Sequence, residues 1–278
     1  MKNVIVCSPK SLPREQLFAA AKTAVAINPF NHAPLDRLTR LIPSFRPTRE
    51  HLAVVTTKYW GLKGVRLTVG FLDAAPTDLR KRILLHMNAW ASSANVKFVE
   101  TKTDPRVRIA RVDGEEGGYW SYVGTDITHI PKNEQTMNLE AFSMNTPESE
   151  FHRVVRHETG HTLGFPHEHM RAALVEKIDP EKAIAFFKQT QGWSEDEVRA
   201  QVLTPLEEGT LMGTVPDPKS IMCYQIPGLI TKDGKPIIGG KDINTLDFSF
   251  AASIYPKKPA KPAPKPAPKT KQAKAGKR

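Results

Sequence analysis

The stretch HETGHTLGFPHEHM, residues 157–170, contains four histidines and two glutamates in fourteen positions. His157 and His161 are four residues apart, a spacing that puts both imidazoles on one face of a helix, about one turn apart. Two neutral imidazoles at that separation suit a divalent zinc ion. Glu158 projects beside them, where it can act on a water molecule at an open coordination position. The spacing therefore predicts two zinc ligands and a general base on one helix.

A third ligand is predicted beyond a turn in the chain. Gly164 comes three residues after His161, where the helix has to end and the chain has to turn back. Glycine permits the left-handed backbone conformation that such a turn often needs. His167 can then reach the same ion, whereas His169 could become a ligand only by displacing it. The whole pattern reads HExxHxxGxxH, a much longer constraint than HExxH alone.

This pattern resembles the metzincin clan of zinc endopeptidases, and more closely its astacin family. HETGHTLGFPHEHMR is similar to the family pattern HExxHxxGFxHEQxR, and SIMCY, residues 220–224, looks like the family's Met-turn. The resemblance implies that Met222 forms an apolar floor beneath the ion. It also implies that Tyr224 ligates the resting ion and stabilises the oxyanion during catalysis. Glu168 is implied to be a supporting carboxylate rather than a second base.

The sequence departs from typical secreted astacins in several ways. Only Cys7 and Cys223 are present, so the four cysteines of those enzymes are missing and at most one disulfide could form. No aspartate-switch pro-segment is recognisable. The chain is therefore similar to a cysteine-poor, bacterial-type astacin, with the resemblance covering roughly residues 59–256.

Hydrophobic periodicity predicts an α+β fold, and the resemblance implies that this fold is of the metzincin type. We expect a mixed, twisted sheet plus the active-site helix in the N-terminal half, and an irregular, mostly helical C-terminal half. Trp120, Ser121 and Tyr122 lie in one predicted strand. They either pair with an extended substrate by strand addition or form a strand with a buried aromatic face. Strands are predicted at 65–71, 96–100, 107–112 and 119–124, and helices at 14–26, 78–90, 147–164, 180–187, 194–202 and 245–254.

Composition divides the chain into three parts. Residues 1–50 are predicted to be an N-terminal extension, either a pro-segment or a segment wrapped on the core, and residues 51–256 the catalytic domain. Residues 257–278 read as a disordered tail rich in Lys, Pro and Ala. This tail carries nine of the eleven net positive charges, so the folded part is nearly neutral. It either serves as a solubilising spacer or contacts an anionic surface.

The composition and the hydrophobic pattern also limit which partners and which cellular compartment we expect. No aromatic residues interleave the lysines of the tail, so no specific nucleic-acid partner is predicted. No uninterrupted run approaches the ~20 apolar residues of a membrane span. The N-terminus does not read as a signal peptide, so a cytoplasmic location is the default expectation, with leaderless export left open. We expect a monomer that acts on polypeptides.

The sequence thus predicts a zinc-dependent endopeptidase with one catalytic Zn²⁺. A water molecule activated by the ion attacks the scissile carbonyl, and Glu158 takes its proton and passes it to the leaving amine. Two alternatives remain from the sequence alone. One is a non-catalytic module that binds zinc and peptides, against which the intact Glu158 argues. The other is a protein that binds anionic surfaces through its basic tail.

Overall fold

The N-terminal half of the protein contains a mixed sheet. The computed structural model describes Cys7 and residues 10–31, 56–205, 216–223 and 225–257. Within these residues the sheet has five strands in the order β2-β1-β3-β5-β4, with β4 at an edge. Strands β1, β2, β3 and β5 run parallel, and β4 pairs with β5 antiparallel. The strands are β1 (Val65–Phe71), β2 (Val96–Glu100), β3 (Val107–Ala110), β4 (Tyr119–Ser121) and β5 (Met137–Leu139).

Two predicted strands are shorter than expected, and one strand was not predicted. β3 ends at Ala110 because the backbone N–H and carbonyl of Val112 bond to the side-chain amide of Asn138 instead of continuing the ladder. β4 ends at Ser121, and the chain enters a 3-10 helix (Gly124–His129) whose first residue has φ of +50°. β5 has only three residues, all buried, which is too short to show an alternating pattern.

Helices flank this sheet in the N-terminal half. α1 (Leu17–Ile27) lies between 3-10 turns at Arg14–Gln16 and Pro29–Asn31. α2 (Thr77–Met87) continues into a 3-10 turn at Asn88–Ser92. Pro76 occupies the cap position of α2, and Thr77 Oγ1 accepts a hydrogen bond from Arg80 Nη2.

The long helix α3 carries the HExxH motif. It begins as an α-helix at Glu148–Glu150, passes through a π-helical turn at Phe151–Val155 and continues as an α-helix over Arg156–Thr162. Phe151, Val154 and Val155 form its buried stripe, as their spacing predicts. Thr146 does not cap it, because its Oγ1 accepts the backbone N–H of Ser143.

The C-terminal half is irregular and mostly helical, as predicted. The side chain of Asp179 caps α5 by accepting the N–H of Lys182, and α5 runs four residues past the predicted end before Gly192 turns the chain. Asn244 and Asp247 form a capping box at the start of α7. The helices are α4 (Ala172–Val175), α5 (Pro180–Gln191), α6 (Glu195–Val198, followed by a π-turn at Arg199–Leu203) and α7 (Thr245–Ile254).

The main hydrophobic core lies between the sheet and helices α2, α3 and α7. Val69 of the sheet, Ile83 of α2 and Phe151 of α3 are fully buried within it. A second apolar cluster includes Phe187 and Ile226 and stabilises the C-terminal half. No helix in the described part of the chain is long and apolar enough to cross a membrane.

Candidate active site

The structure brings the three predicted zinc ligands together. His157 and His161 lie on α3, and His167 follows the turn at Gly164, whose φ is +96°. All three imidazoles are buried. The Nε2 atoms of His157 and His161 are 3.1 Å apart, and those of His161 and His167 are 3.0 Å apart. The Nε2 atoms of the third pair, His157 and His167, are 3.1 Å apart.

The tautomers of two of these histidines are set by backbone carbonyls. Nδ1 of His157 lies 2.5 Å from the carbonyl oxygen of Ile221, and Nδ1 of His161 lies 2.8 Å from that of Phe165. Both Nδ1 atoms must carry the proton to donate these bonds, so both Nε2 lone pairs point at the common centre. Burial lowers the pKa of His157 to about 4, although its bond to Ile221 raises it. His157 is therefore neutral at pH 7, the form that binds metal.

This donor set fits a zinc ion. Converging lone pairs repel one another when nothing lies between them, and a cation at their centre removes that repulsion. Nitrogens about 2.1 Å from a tetrahedral zinc ion are roughly 3.4 Å apart, so the three imidazoles need to move by only a few tenths of an ångström. Each Nδ1 bond to a carbonyl is the outer contact that holds a metal-binding histidine in place.

Glu158 lies beside the histidine cluster and is buried. Its side chain is 1% exposed, and Oε2 accepts a hydrogen bond from the Cys7 thiol at 3.4 Å. Burial raises the pKa of the Glu158 carboxyl to about 8, against the lowering effects of the Cys7 hydrogen bond and the Arg153 charge. A divalent cation nearby favours the carboxylate form. Glu158 can therefore act as a base when the cluster holds zinc.

Cys7 is a member of the site that the sequence did not reveal. Its Sγ and the ring nitrogens of His157, His161 and His167 all lie within 4.8 Å of one another. Thiolate and imidazole are the ligands that zinc prefers. Cys7 is 151 positions from Glu158 in sequence, so no local motif connects them. A cysteine in an extension preceding a three-histidine site is the one sequence signal that could have indicated it.

Met222 packs beneath the helix that carries the ligands. A β-carbon on Gly160 would lie 2.3 Å from its Sδ, so the methionine fills the space left by that glycine. Its carbonyl accepts the N–H of Glu168 at 2.8 Å. The Glu168 carboxylate in turn accepts the N–H of Asp217 at 2.9 Å, and burial raises its pKa to about 7. Glu168 thus connects the segment after His167 to the segment that contains Met222.

Asp247 of α7 holds the Met-turn in place and was not predicted. Its carboxylate accepts hydrogen bonds from Ser220 Oγ at 2.5 Å and from the N–H of Ile221 at 3.0 Å. Ile221 is also the residue whose carbonyl orients His157. The capping-box pattern Asn244-x-x-Asp247 is the signal in the sequence that marks this carboxylate.

The edge strand β4 lies next to α3. Ser121 is fully buried, and its hydroxyl is 3.1 Å from the hydroxyl of Thr162. Trp120 is buried and donates through Nε1 to the carbonyls of Glu116 and Gly117, while Tyr122 is half-buried against it. The edge of β4 that does not face β5 pairs in parallel with the N-terminal segment through the bridges Cys7–Tyr119 and Lys10–Tyr122.

Several predicted residues lie outside the described part of the structure. Tyr224 and the basic tail from residue 258 onward are among them, as is the side chain of His169. The prediction that Tyr224 assists catalysis therefore stays a prediction. The prediction that His169 is not a zinc ligand also stays a prediction, because its side chain is not described.

A second group of ionisable residues joins α2 and α3. His86, Glu148 and His152 bring their ligand atoms within 4.8 Å of one another. Two guanidinium groups contact this group: Arg82 bonds to Glu148 at 2.6 Å, and Arg156 bonds to Asp242, the partner of His152. Because Arg82 and Arg156 already neutralise the carboxylates of Glu148 and Asp242, this group is part of an ion-pair network rather than a metal site.

Comparison with known proteins agrees with this geometry. The family model described as Astacin, a peptidase family, matches residues 56–238. Zinc metalloproteinase nas-27 of Caenorhabditis elegans is 27% identical over 205 residues, which cover 70% of this chain and 41% of that protein. The chain thus spans about two fifths of the length of this curated relative.

Solved structures of myroilysin are also similar. One is 29% identical with a TM-score of 0.67, and the match covers 72% of this chain and 97% of that one. Another is 30% identical with a TM-score of 0.56, covering 72% of this chain and 86% of that one. These matches confirm the predicted α+β fold of the metzincin type. The chain therefore belongs to the astacin family of peptidases, as its histidine motif and Met-turn predict.

Proposed function

We propose that this protein is a zinc-dependent endopeptidase in which Glu158 is the general base. The observation that carries the proposal is the convergence of three buried imidazole nitrogens, 3.0–3.1 Å apart, beside a buried carboxylate. A site that only bound zinc would need no carboxylate at this position. Burial of the Glu158 carboxyl is costly for stability even with its hydrogen bond from Cys7, and a catalytic role explains why it is present.

The residues of the chain divide the work of peptide hydrolysis. When bound, zinc supplies Lewis-acid chemistry: it polarises the scissile carbonyl and lowers the pKa of a water molecule. Glu158 accepts the proton of that water and delivers it to the leaving amine. His157, His161 and His167 hold the ion, and Met222 keeps an apolar floor beneath them. Tyr224, two residues after Met222 in sequence, is proposed to stabilise the oxyanion by donating its phenolic hydrogen.

A polypeptide substrate is proposed to bind in extended form along β4. This strand lies at the edge of the sheet and packs beside α3, so a peptide paired with it passes close to the three histidines. Strand addition uses backbone hydrogen bonds, which do not depend on side-chain identity. Tyr119 and Tyr122 already make such bridges to the N-terminal segment, which supports pairing at this edge.

The proposal is tested with a library of unstructured peptides blocked at both ends. Because Cys7 contacts Glu158, both the full chain and its Cys7→Ala variant are assayed, each with measured zinc content. We expect cleavage at internal bonds, loss of cleavage on chelation and recovery when zinc is added back. Zinc-loaded protein that binds the peptides without cutting them in either form would instead indicate a peptide-binding module.

A further inference from the structure

The turn that ends α3 controls the placement of two of the three predicted zinc ligands. The carbonyl oxygen of Phe165 lies 2.8 Å from Nδ1 of His161 and sets the tautomer of that ring. His167 follows two residues later and reaches the cluster because Gly164 turns the chain back with φ of +96°. Three nitrogens can hold one ion only while they share a common centre. A displacement of this turn would therefore disturb His161 and His167 together.

Residues 58–60 lie across this turn and are in contact with it. Trp60 Nε1 donates a hydrogen bond to the carbonyl of Thr162 at 2.9 Å. A β-carbon on Gly164 would lie only 3.0 Å from the carbonyl oxygen of Lys58, which is closer than ordinary van der Waals contact. The position of the turn therefore depends on the position of residues 58–60.

A buried ion pair holds Lys58 in place. Its Nζ lies 3.4 Å from Oδ1 of Asp126, and the two side chains are only 11% and 12% exposed. The backbone carbonyl of Lys58 accepts the N–H of Thr125 at 3.0 Å. The side chain and the backbone of Lys58 thus both bind the 3-10 helix at Gly124–His129, which fixes the direction of the chain as well as its position.

Stability alone does not explain why an ion pair lies at this point. Charges lose much of their favourable hydration when they are buried, and a buried ion pair is often no more stabilising than apolar side chains of similar volume. An ion pair does, however, require one particular partner, whereas apolar side chains pack in several arrangements. The Lys58–Asp126 pair therefore selects one arrangement of residues 58–60 against the turn.

We propose that the Lys58–Asp126 ion pair is a positioning device of the zinc site, which fixes His161 and His167 through the turn at Gly164. The inference rests on the proposed function, because it takes the three histidines as the zinc ligands. Both residues of the pair act through the backbone rather than on the ion. Their loss leaves all three ligands present but less accurately placed, so zinc is bound more weakly.

Removal of both charges separates the placement of the ligands from the stability of the fold. The double variant Lys58→Met with Asp126→Asn replaces each side chain by a neutral one of similar volume. It is compared with the reference in a full chain that carries Cys7→Ala, because the Cys7 thiol lies among the ligand atoms and would mask a displaced histidine. We expect zinc affinity, measured by competition with a chelator, to fall about 10- to 100-fold. Urea unfolding of the metal-free proteins should show little difference between them.

The single variant Lys58→Met repeats the test with a milder change. Burial raises the pKa of Asp126 and the charge of Lys58 lowers it, so without the lysine the carboxyl can take up a proton and remain neutral. We expect a similar loss of zinc affinity. The matched control is Asp73→Asn with Arg111→Met, which removes the 2.8 Å ion pair between residues that follow β1 and β3. This control should bind zinc as tightly as the reference.

Cobalt absorption reports the geometry of the site, which a change in stability alone does not alter. Co²⁺ in place of zinc has d–d bands whose intensity depends on the number and arrangement of its ligands. We expect these bands to change in both Lys58 variants and to stay the same in the control. Reference-like zinc affinity and cobalt bands in both Lys58 variants would overturn the positioning role alone. A Cys7→Ala reference that binds no zinc would overturn the proposed function and this role with it.

Discussion

The sulfur atom of Met222 lies against the backbone of Gly160, so close that a β-carbon at Gly160 would be 2.3 Å from it. Gly160 lies on α3 between His157 and His161, and the next nearest side chain is that of Trp90, 3.4 Å from the same point. A methionine can approach the ligand-bearing helix this closely only where a side chain is missing. The Met-turn therefore packs against the HExxH helix at Gly160, where the absence of a side chain leaves room for the methionine.

Substitution of Gly160 by alanine tests this contact. We expect Gly160→Ala to lower the free energy of unfolding by about 1–3 kcal/mol, the usual cost of overpacking a buried site, despite the better helix propensity of alanine. Gly61→Ala is the control, since its β-carbon would have no neighbour closer than 3.8 Å. Urea unfolding of both variants measures the difference. Equal stabilities for the two variants would contradict the close packing of Met222.

Asp247 offers a test of the support behind His157. Asp247→Asn leaves one acceptor oxygen in place of the two carboxylate oxygens that accept hydrogen bonds from Ser220 and Ile221. The carbonyl of Ile221, which orients His157, is then held less firmly. We expect zinc affinity to fall by about 10- to 100-fold, as for other outer contacts of metal ligands. Competition with a chromophoric chelator measures it. Asp233→Asn, an exposed carboxylate outside the site, should bind zinc as the wild type does.

Long, locally patterned elements could be predicted from the sequence. β1 and α7 have the predicted bounds because the periods of their apolar residues are complete within each element. The three histidines could be placed for the same reason, since their spacing is a local property of one helix and one turn. Gly164 makes that turn with a positive φ, in the place where the pattern requires it.

Features that depend on distant residues could not be predicted. β5 exists because its three residues fill the gap between β3 and β4, and β3 is shortened by the side chain of Asn138. Cys7 reaches the site only because its segment pairs with β4, a contact with no trace in the local sequence. The bond from Asp247 to Ile221 likewise joins two segments that fold together only in the tertiary structure.

The ion-pair network around His86 predicts a pH dependence of stability. Burial lowers the pKa of His86 from 6.5, as do the charges of Arg156, His152 and Arg82, while Glu148 raises it. The unfolded chain therefore binds a proton at His86 more readily than the folded chain does. The stability that depends on neutral His86 is fully present above pH 6.5 and is lost as the pH falls through the lowered folded-state pKa. We expect wild type to be less stable at about pH 5.5 than at about pH 7.5.

The His86→Gln variant measures how much of the stability lost at low pH depends on His86. Urea unfolding of metal-free protein at both pH values should show a smaller loss of stability in this variant than in the wild type. Leu85→Gln places the same side chain at the neighbouring, exposed position and should keep the wild-type pH dependence. A His86→Gln variant as sensitive to acid as the wild type would show that the histidine is not the group responsible.

In the proposed function His157, His161 and His167 would hold zinc, and Glu158 would act as the base in peptide hydrolysis. The most direct test of this function measures zinc content and initial hydrolysis rate on the same samples of Cys7→Ala and of Cys7→Ala with Glu158→Gln. We expect one zinc ion per chain in both proteins, and a rate about 10²- to 10⁴-fold lower without the carboxylate, the usual contribution of a general base. Unchanged hydrolysis in the Glu158→Gln protein at equal zinc content would contradict it.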